Sequence, residues 1–148
     1  MYTATDLMTT ELNALSLKAS IFDAIQLSKD NNIRNIPVVD DQGHLLGVIS
    51  QKSLFNKTMH MLALYGTEYS VKLEQETSVK EVLETDYLTA QESTSLDDII
   101  PLFKGNNHGC LPVIDADNKL KGFITSGNFV DFCERLLLNN QLITSPAV

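Results

Sequence analysis

Two hydroxyl residues, Ser50 and Thr125, stand where an apolar run of strand type gives way to a stretch of helical spacing. A hydroxyl at such a junction has two uses. It can cap the helix by accepting from backbone N–H groups of the first turn. It also sits where a helix N-terminus favours an anion such as phosphate. Each is followed three residues later by another polar side chain, Ser53 and Asn128. Asn accepts a hydrogen bond without carrying charge, and Ser is shorter still. Arg34 adds a forked, permanently charged set of donors that suits phosphate. Each residue also has a plainer reading, as a routine helix cap or a solvated surface arginine. Catalysis finds little footing. His44, His60 and His108 are scattered over a turn, a helix and a loop, and Cys110 and Cys133 lack metal-type spacing. There is no Gly-rich phosphate loop and no nucleophile elbow, so the chain is expected not to be an enzyme and to need no metal.

These residues occupy matching places in a repeat. Ile36-Pro37-Val38-Val39-Asp40 recurs as Leu111-Pro112-Val113-Ile114-Asp115, and Leu45-Leu46-Gly47-Val48-Ile49-Ser50 recurs as Leu120-Lys121-Gly122-Phe123-Ile124-Thr125. The offset is 75 residues, without a gap from Asp6 against Glu81 to Phe55 against Val130. A fixed offset marks a repeat architecture, and two copies suggest two units packed as one body. Each copy reads β-α-β-β-α, an α/β (α+β) fold.

Within each copy the turns and caps are explicit. A short extended piece, Asn13 to Leu17 in the first copy, precedes a helix that starts at Ser20 with Asp23 three residues on. The second copy repeats this as Ser95 and Asp98, the pattern of a capping box. Ile21, Ala24, Ile25 and Ser28 mark one helical face, and Leu96, Ile99, Ile100 and Phe103 mark its counterpart. Asn31-Asn32 and Asn106-Asn107 end these helices. The strand pairs flank Asp40-Asp41-Gln42-Gly43 and Asp115-Ala116-Asp117-Asn118, and are apolar enough to be buried on both faces. Pro37 and Pro112 suit strand starts, since proline lacks an N–H.

The closing helices carry apolar surface wider than one neighbour needs. Leu54, Thr58, Met61, Leu62 and Tyr65 form one face of the first, extended by Phe55 and Met59. Val130, Cys133 and Leu137 form one stripe of the second, and Phe129, Phe132 and Leu136 another. Either both stripes are satisfied within one chain or a second subunit covers one of them. The expected divisions are 1–65 for the first repeat, a polar link of loop character at 66–80, 81–140 for the second repeat and a frayed tail at 141–148.

The bulk numbers exclude some classes. At 148 residues, 43% hydrophobic and 20% charged, the chain is an ordinary globular domain or two small units sharing a core. A net charge of -8 argues against nucleic acid as a general partner. It also requires any anionic ligand to be held by local groups. No apolar run approaches the roughly 20 residues of a membrane helix. Met1 to Ala4 shows no basic region before an apolar core, and the two cysteines read as buried, reduced thiols. A cytoplasmic setting is therefore expected.

The pieces in order, twice, resemble a tandem cystathionine-β-synthase (CBS) domain pair, or Bateman module. They are the lead-in Asp6-Leu7-Met8-Thr9, the capped helix, the hydrophobic-Pro-Val-hydrophobic-Asp strand, the turn, and the Gly-hydrophobic-hydrophobic-Ser/Thr strand end. Among these the chain is similar to small stand-alone bacterial proteins of the acetoin-utilisation type. The resemblance implies a regulatory module whose repeats are related by a pseudo-two-fold axis with a cleft on each side. It implies an adenosyl ligand, namely AMP, ADP, ATP or S-adenosylmethionine, and a homodimer built through the helices. It further implies phosphate at Thr125 and Arg34, ribose at Asn128, and base against Leu111 and Pro112. A weaker second site would use Ser50, Ser53, Ile36 and Pro37. The family places an Asp where this chain has Ser53 and Asn128, so a degenerate pair acting as a non-binding dimeric scaffold is the alternative.

Overall fold

A computed structural model describes residues 1–105 and 109–144. The Asn106-Asn107 turn, His108 and tail residues 145–148 lie outside the described residues. The elements are α1 (Ala4–Leu7), α2 (Ile21–Asn31), β1 (Asn35–Val39), β2 (Leu45–Ser50) and α3 (Gln51–Glu76). A 3-10 turn at Val79–Val82 leads to α4 (Leu96–Lys104), β3 (Cys110–Ile114), β4 (Leu120–Thr125) and α5 (Ser126–Thr144).

Local signals act as the sequence implies. Ser20 Oγ accepts from Asp23 N at 3.1 Å while Asp23 Oδ2 accepts from Ser20 N at 2.9 Å, and Ser95 caps α4 through Asp98 N. Asn32, left-handed at φ 51°, ends α2. In the first turn Asp40 Oδ1 accepts from the N–H groups of Gln42 and His44, both at 2.9 Å. Gly43 then takes the left-handed conformation at φ 88°, as Asn118 does at φ 63° in the second turn. The residue types that close these hairpins are those that tolerate positive φ. β1 pairs antiparallel with β2 and β3 with β4, in the same register and with the same bulge, after Val38 and after Val113.

Each hairpin is flanked on both edges. On the β1 side, Leu15 forms a parallel bridge to Val38, and Ala90 does the same to Val113, so the expected first strand of each repeat contracts to one bridged residue. On the β2 side, the partner comes from the other repeat's lead-in: Glu84 bridges Val48, and Thr9 bridges Phe123. Thr3–Ser95 mirrors Ser78–Ser20, and His44–Lys119 maps onto itself under the 75-residue offset. The pseudo-two-fold axis therefore passes between His44 and Lys119. Leu45 N donates to Asn118 O and Leu120 N to Gly43 O there, both at 3.0 Å.

The lead-in segments are exchanged. Ala4 and Leu7 pack with Ile99, Leu111, Val113, Ile124 and Phe132 of the second repeat. Val79 and Val82 pack with Ile21, Ile36, Val38, Ile49 and Leu54 of the first. Arg135 fastens α1 to α5: Nη2 donates to Asp6 O at 2.7 Å, and the guanidinium lies over Phe132, 5.5 Å from its centroid. A third cluster, Val48, Cys110 and Phe123, joins the repeats.

Four expectations change. The link is helical from Thr67 to Glu76, because Glu, Lys and Gln are strong helix formers as well as polar; Gly66, at φ 77° and ψ 174°, breaks α3 before it. Residues 141–144 continue α5. Ile100 is exposed, since α4 turns Leu96, Ile99, Leu102 and Phe103 toward the core instead. Cys133 is exposed rather than buried, because α5 turns Phe132 inward instead. Among the described residues no helix is long and apolar enough to cross a membrane.

Candidate functional site: a cleft across the pseudo-axis

β2 and β4 each end at a hydroxyl residue and pass directly into a long helix, and the N-termini of α3 and α5 both open onto one cleft of about 1010 Å³. The sequence brings them there because the hairpins are paired about the axis between His44 and Lys119. Arg34, Pro37, Ser50, Ser53, Thr125 and Asn128 all line this cleft. The two expected recesses thus form one continuous space. Leu111, Pro112 and Ile36 do not line it. They are the fully buried centres of their strands, with Leu111 in the second-repeat core and Ile36 in the first. Of the two prolines, only Pro37 lines the cleft.

The two helix starts are chemically different. At α5, Asn128 Oδ1 accepts from Thr125 N at 2.8 Å and from Thr125 Oγ1 at 3.0 Å, while its Nδ2 donates to Thr9 Oγ1 at 2.9 Å. At α3, Ser50 Oγ accepts from Ser53 N at 3.0 Å. The Ser50 and Ser53 hydroxyls lie 3.2 and 2.5 Å from Glu84 Oε1. Thr9 and Glu84 are equivalent under the repeat, so the exchanged lead-ins deliver a hydroxyl to one helix start and a carboxylate to the other. Glu84 lines the cleft and was not singled out in the sequence. The signal was present: the gapless offset sets it opposite Thr9 of the Asp6-Leu7-Met8-Thr9 segment.

Charge in the cleft is mixed. Arg34 and Lys52 contribute cations, Glu11 and Glu84 anions. Lys52, in the first turn of α3, also went unremarked in the sequence. Behind the cleft, burial pushes the Cys110 thiol up to about 12, and the nearby Glu84 charge adds to the effect, so the thiol is neutral. Asn35 Oδ1 is buried on the cleft side without a hydrogen-bond partner, an acceptor that a ligand N–H would satisfy. Among the described residues no three His, Cys, Asp or Glu side chains gather as a metal site.

Comparison with known proteins agrees with this architecture. The sequence profile of the CBS domain matches twice, at residues 4–59 and 79–135. The chloroplastic CBS domain-containing protein CBSX2 of Arabidopsis thaliana is 30% identical over 148 residues. The match covers 87% of this chain and 62% of that protein, so the chain spans less than two thirds of that relative. Among solved structures, a candidate acetoin utilization protein (AcuB) from Vibrio cholerae superposes with a TM-score of 0.78 at 29% identity, covering 95% of this chain and 96% of that one. CBSX2 in complex with AMP gives 0.74 at 30% identity, covering 92% and 98%.

Proposed function

The chain belongs to the CBS-domain family and carries the domain twice, and from that premise we propose that it is a regulatory, non-catalytic module that senses an adenosyl ligand in the cleft between its repeats. The observation that carries the reading is the convergence of two helix N-termini, at Ser50 and Thr125, with Arg34 and Lys52 on one cleft. N-terminal N–H groups and cations together favour a phosphate, and they do so locally against a chain of net charge -8. The solved complex of the related CBSX2 with AMP supports the ligand class: AMP, ADP, ATP or S-adenosylmethionine.

Thr125 and Arg34 serve the phosphate in this reading, and Pro37 with Asn35 offers a wall for the base. The protein acts as a homodimer in the cytoplasm. The exposed stripe on α5, with Val130 at 65% and Leu137 at 61% accessible, and Phe55 at 64% on α3, supports the dimer. Neither cysteine is in a disulfide, which suits a reducing compartment.

One observation favours the scaffold alternative: Asn128 is already satisfied by Thr125 and Thr9. Calorimetric titration with AMP, ADP, ATP, S-adenosylmethionine and GMP decides between them. Binding of an adenine ligand in preference to GMP is expected. Absence of any adenosyl binding at millimolar concentration would leave the scaffold.

A further inference from the structure

We infer that Glu84 reads the vicinal diol of a bound ribose, and that the first repeat's helix start, not the second's, therefore holds the sugar. This rests on the adenosyl reading above and extends it to a residue outside the repeat's motif.

A diol presents two adjacent O–H donors, and an ionised carboxylate is the side chain best matched to take both. Asn128 cannot do so while it holds α5. Its single oxygen has two lone pairs, and Thr125 N and Thr125 Oγ1 occupy them. Ser53, its counterpart, is too short to replace a carboxylate. Glu84 supplies one from a different segment. Its backbone is fixed to the β2 edge by reciprocal bonds with Val48, each 2.9 Å. Its side chain reaches the start of α3, where the Ser53 hydroxyl is directed at Oε1 and the Ser50 hydroxyl is shared between Oε1 at 3.2 Å and Ser53 Oγ at 2.9 Å.

Those serines already show what the carboxylate is arranged to accept. Two O–H groups on one carboxylate oxygen are the donor set that a 2′,3′-diol would bring. On binding, the ribose hydroxyls take over as donors to Glu84, and Ser50 keeps its cap from Ser53 N. The Ser50 O–H turns to Ser53 Oγ, 2.9 Å away, and the Ser53 O–H gives up its acceptor to the ligand on the cleft wall. Thr9 occupies the equivalent place in the other repeat and donates no charge, so the two halves are not interchangeable as sugar sites.

The test titrates AMP and 2′,3′-dideoxy-AMP against wild type, Glu84→Gln, Glu84→Thr and Glu84→Gln/Ser53→Asp. Wild type should prefer AMP by about tenfold or more, the scale of one or two charge-assisted hydrogen bonds. Both single variants should lose most of that preference by weakening AMP alone, with dideoxy-AMP unchanged. Ser53→Asp, which restores a carboxylate at the same helix start, should recover it. A preference retained in both single variants overturns the inference. So does wild type that binds AMP and dideoxy-AMP equally, a result that needs no variant to fold and leaves the adenosyl reading standing. Wild type that binds neither nucleotide removes the adenosyl reading, and this inference with it.

Discussion

Gly122 faces Met8 so closely that a Cβ added to the glycine would lie 2.5 Å from the methionine sulfur. The same relation holds one repeat earlier, where a Cβ on Gly47 would lie 2.6 Å from Leu83 Cδ1 and 2.8 Å from the Glu84 carbonyl oxygen. Each glycine is the notch that seats the other repeat's lead-in. Overpacking of this kind costs about 1–3 kcal/mol. Gly122→Ala should fall at the low end, because Met8 is unbranched and can move. Gly47→Ala should fall at the high end, because the obstacle includes backbone. Denaturant unfolding of both variants should show that order, and equal losses would contradict it.

The two thiols should separate in a kinetic assay with a disulfide reagent at pH 8. Cys133, exposed on α5, should react at once, and Cys110 only on unfolding. The folded Cys110 pKa is raised from 9.0 to about 12. Below pH 9 both folded and unfolded thiols are protonated and stability is unaffected. Between pH 9 and 12 the unfolded state ionises first, so stability should fall as pH rises. Cys110→Ala should flatten that fall.

Asp40 and Asp115 are held below the ordinary carboxylate range, first of all by the backbone N–H groups of His44 and Lys119 respectively. Their stabilising contribution is complete above the unfolded value of 3.8 and is lost as pH drops through the lower folded values. The Asp40→Asn/Asp115→Asn variant keeps the acceptors without the charge. Its melting temperature should decline less than that of wild type between about pH 4 and pH 2.

Arg34→Ala should weaken AMP several-fold while leaving adenosine nearly unchanged, because a guanidinium reads phosphate rather than sugar or base. Calorimetry with both ligands gives the comparison. Equal losses would remove Arg34 from the phosphate role.

Light scattering at tens of micromolar should give a dimer mass for wild type and a monomer mass for Val130→Glu/Leu137→Glu. A stable interface buries about 1,200 Å² or more in total, which exposed stripes on α3 and α5 can supply. An unchanged mass in the variant would place the interface elsewhere.

The hairpins, caps and turns were legible in the sequence because each depends on residues adjacent in the chain: Ser20 with Asp23, Asp40 with Gly43, Asp115 with Asn118. The exchange of lead-ins was not, because Ala4 and Val79 look alike and nothing local says which core each enters. The site divides along the same line. Ser50, Thr125 and Arg34, which line the cleft, hold fixed places in the repeated motif and so could be singled out from the sequence. Glu84 was missed because its role depends on Ser50 and Ser53, 34 and 31 residues away. The burial of Leu111 and Pro112 was not legible, because a strand's sequence does not say which way its apolar centre faces.

The crossed lead-ins also bear on ancestry. In this chain neither lead-in packs on its own repeat: Ala4 and Leu7 enter the second core, Val79 and Val82 the first. Two identical units would exchange segments across a true two-fold axis, each half of an obligate pair. Joining them through the helix that follows Gly66 makes the partner covalent and its effective concentration permanent. Once joined, the halves no longer need to stay identical. Thr9 and Glu84, equivalent under the offset, give one helix start a hydroxyl and the other a charge.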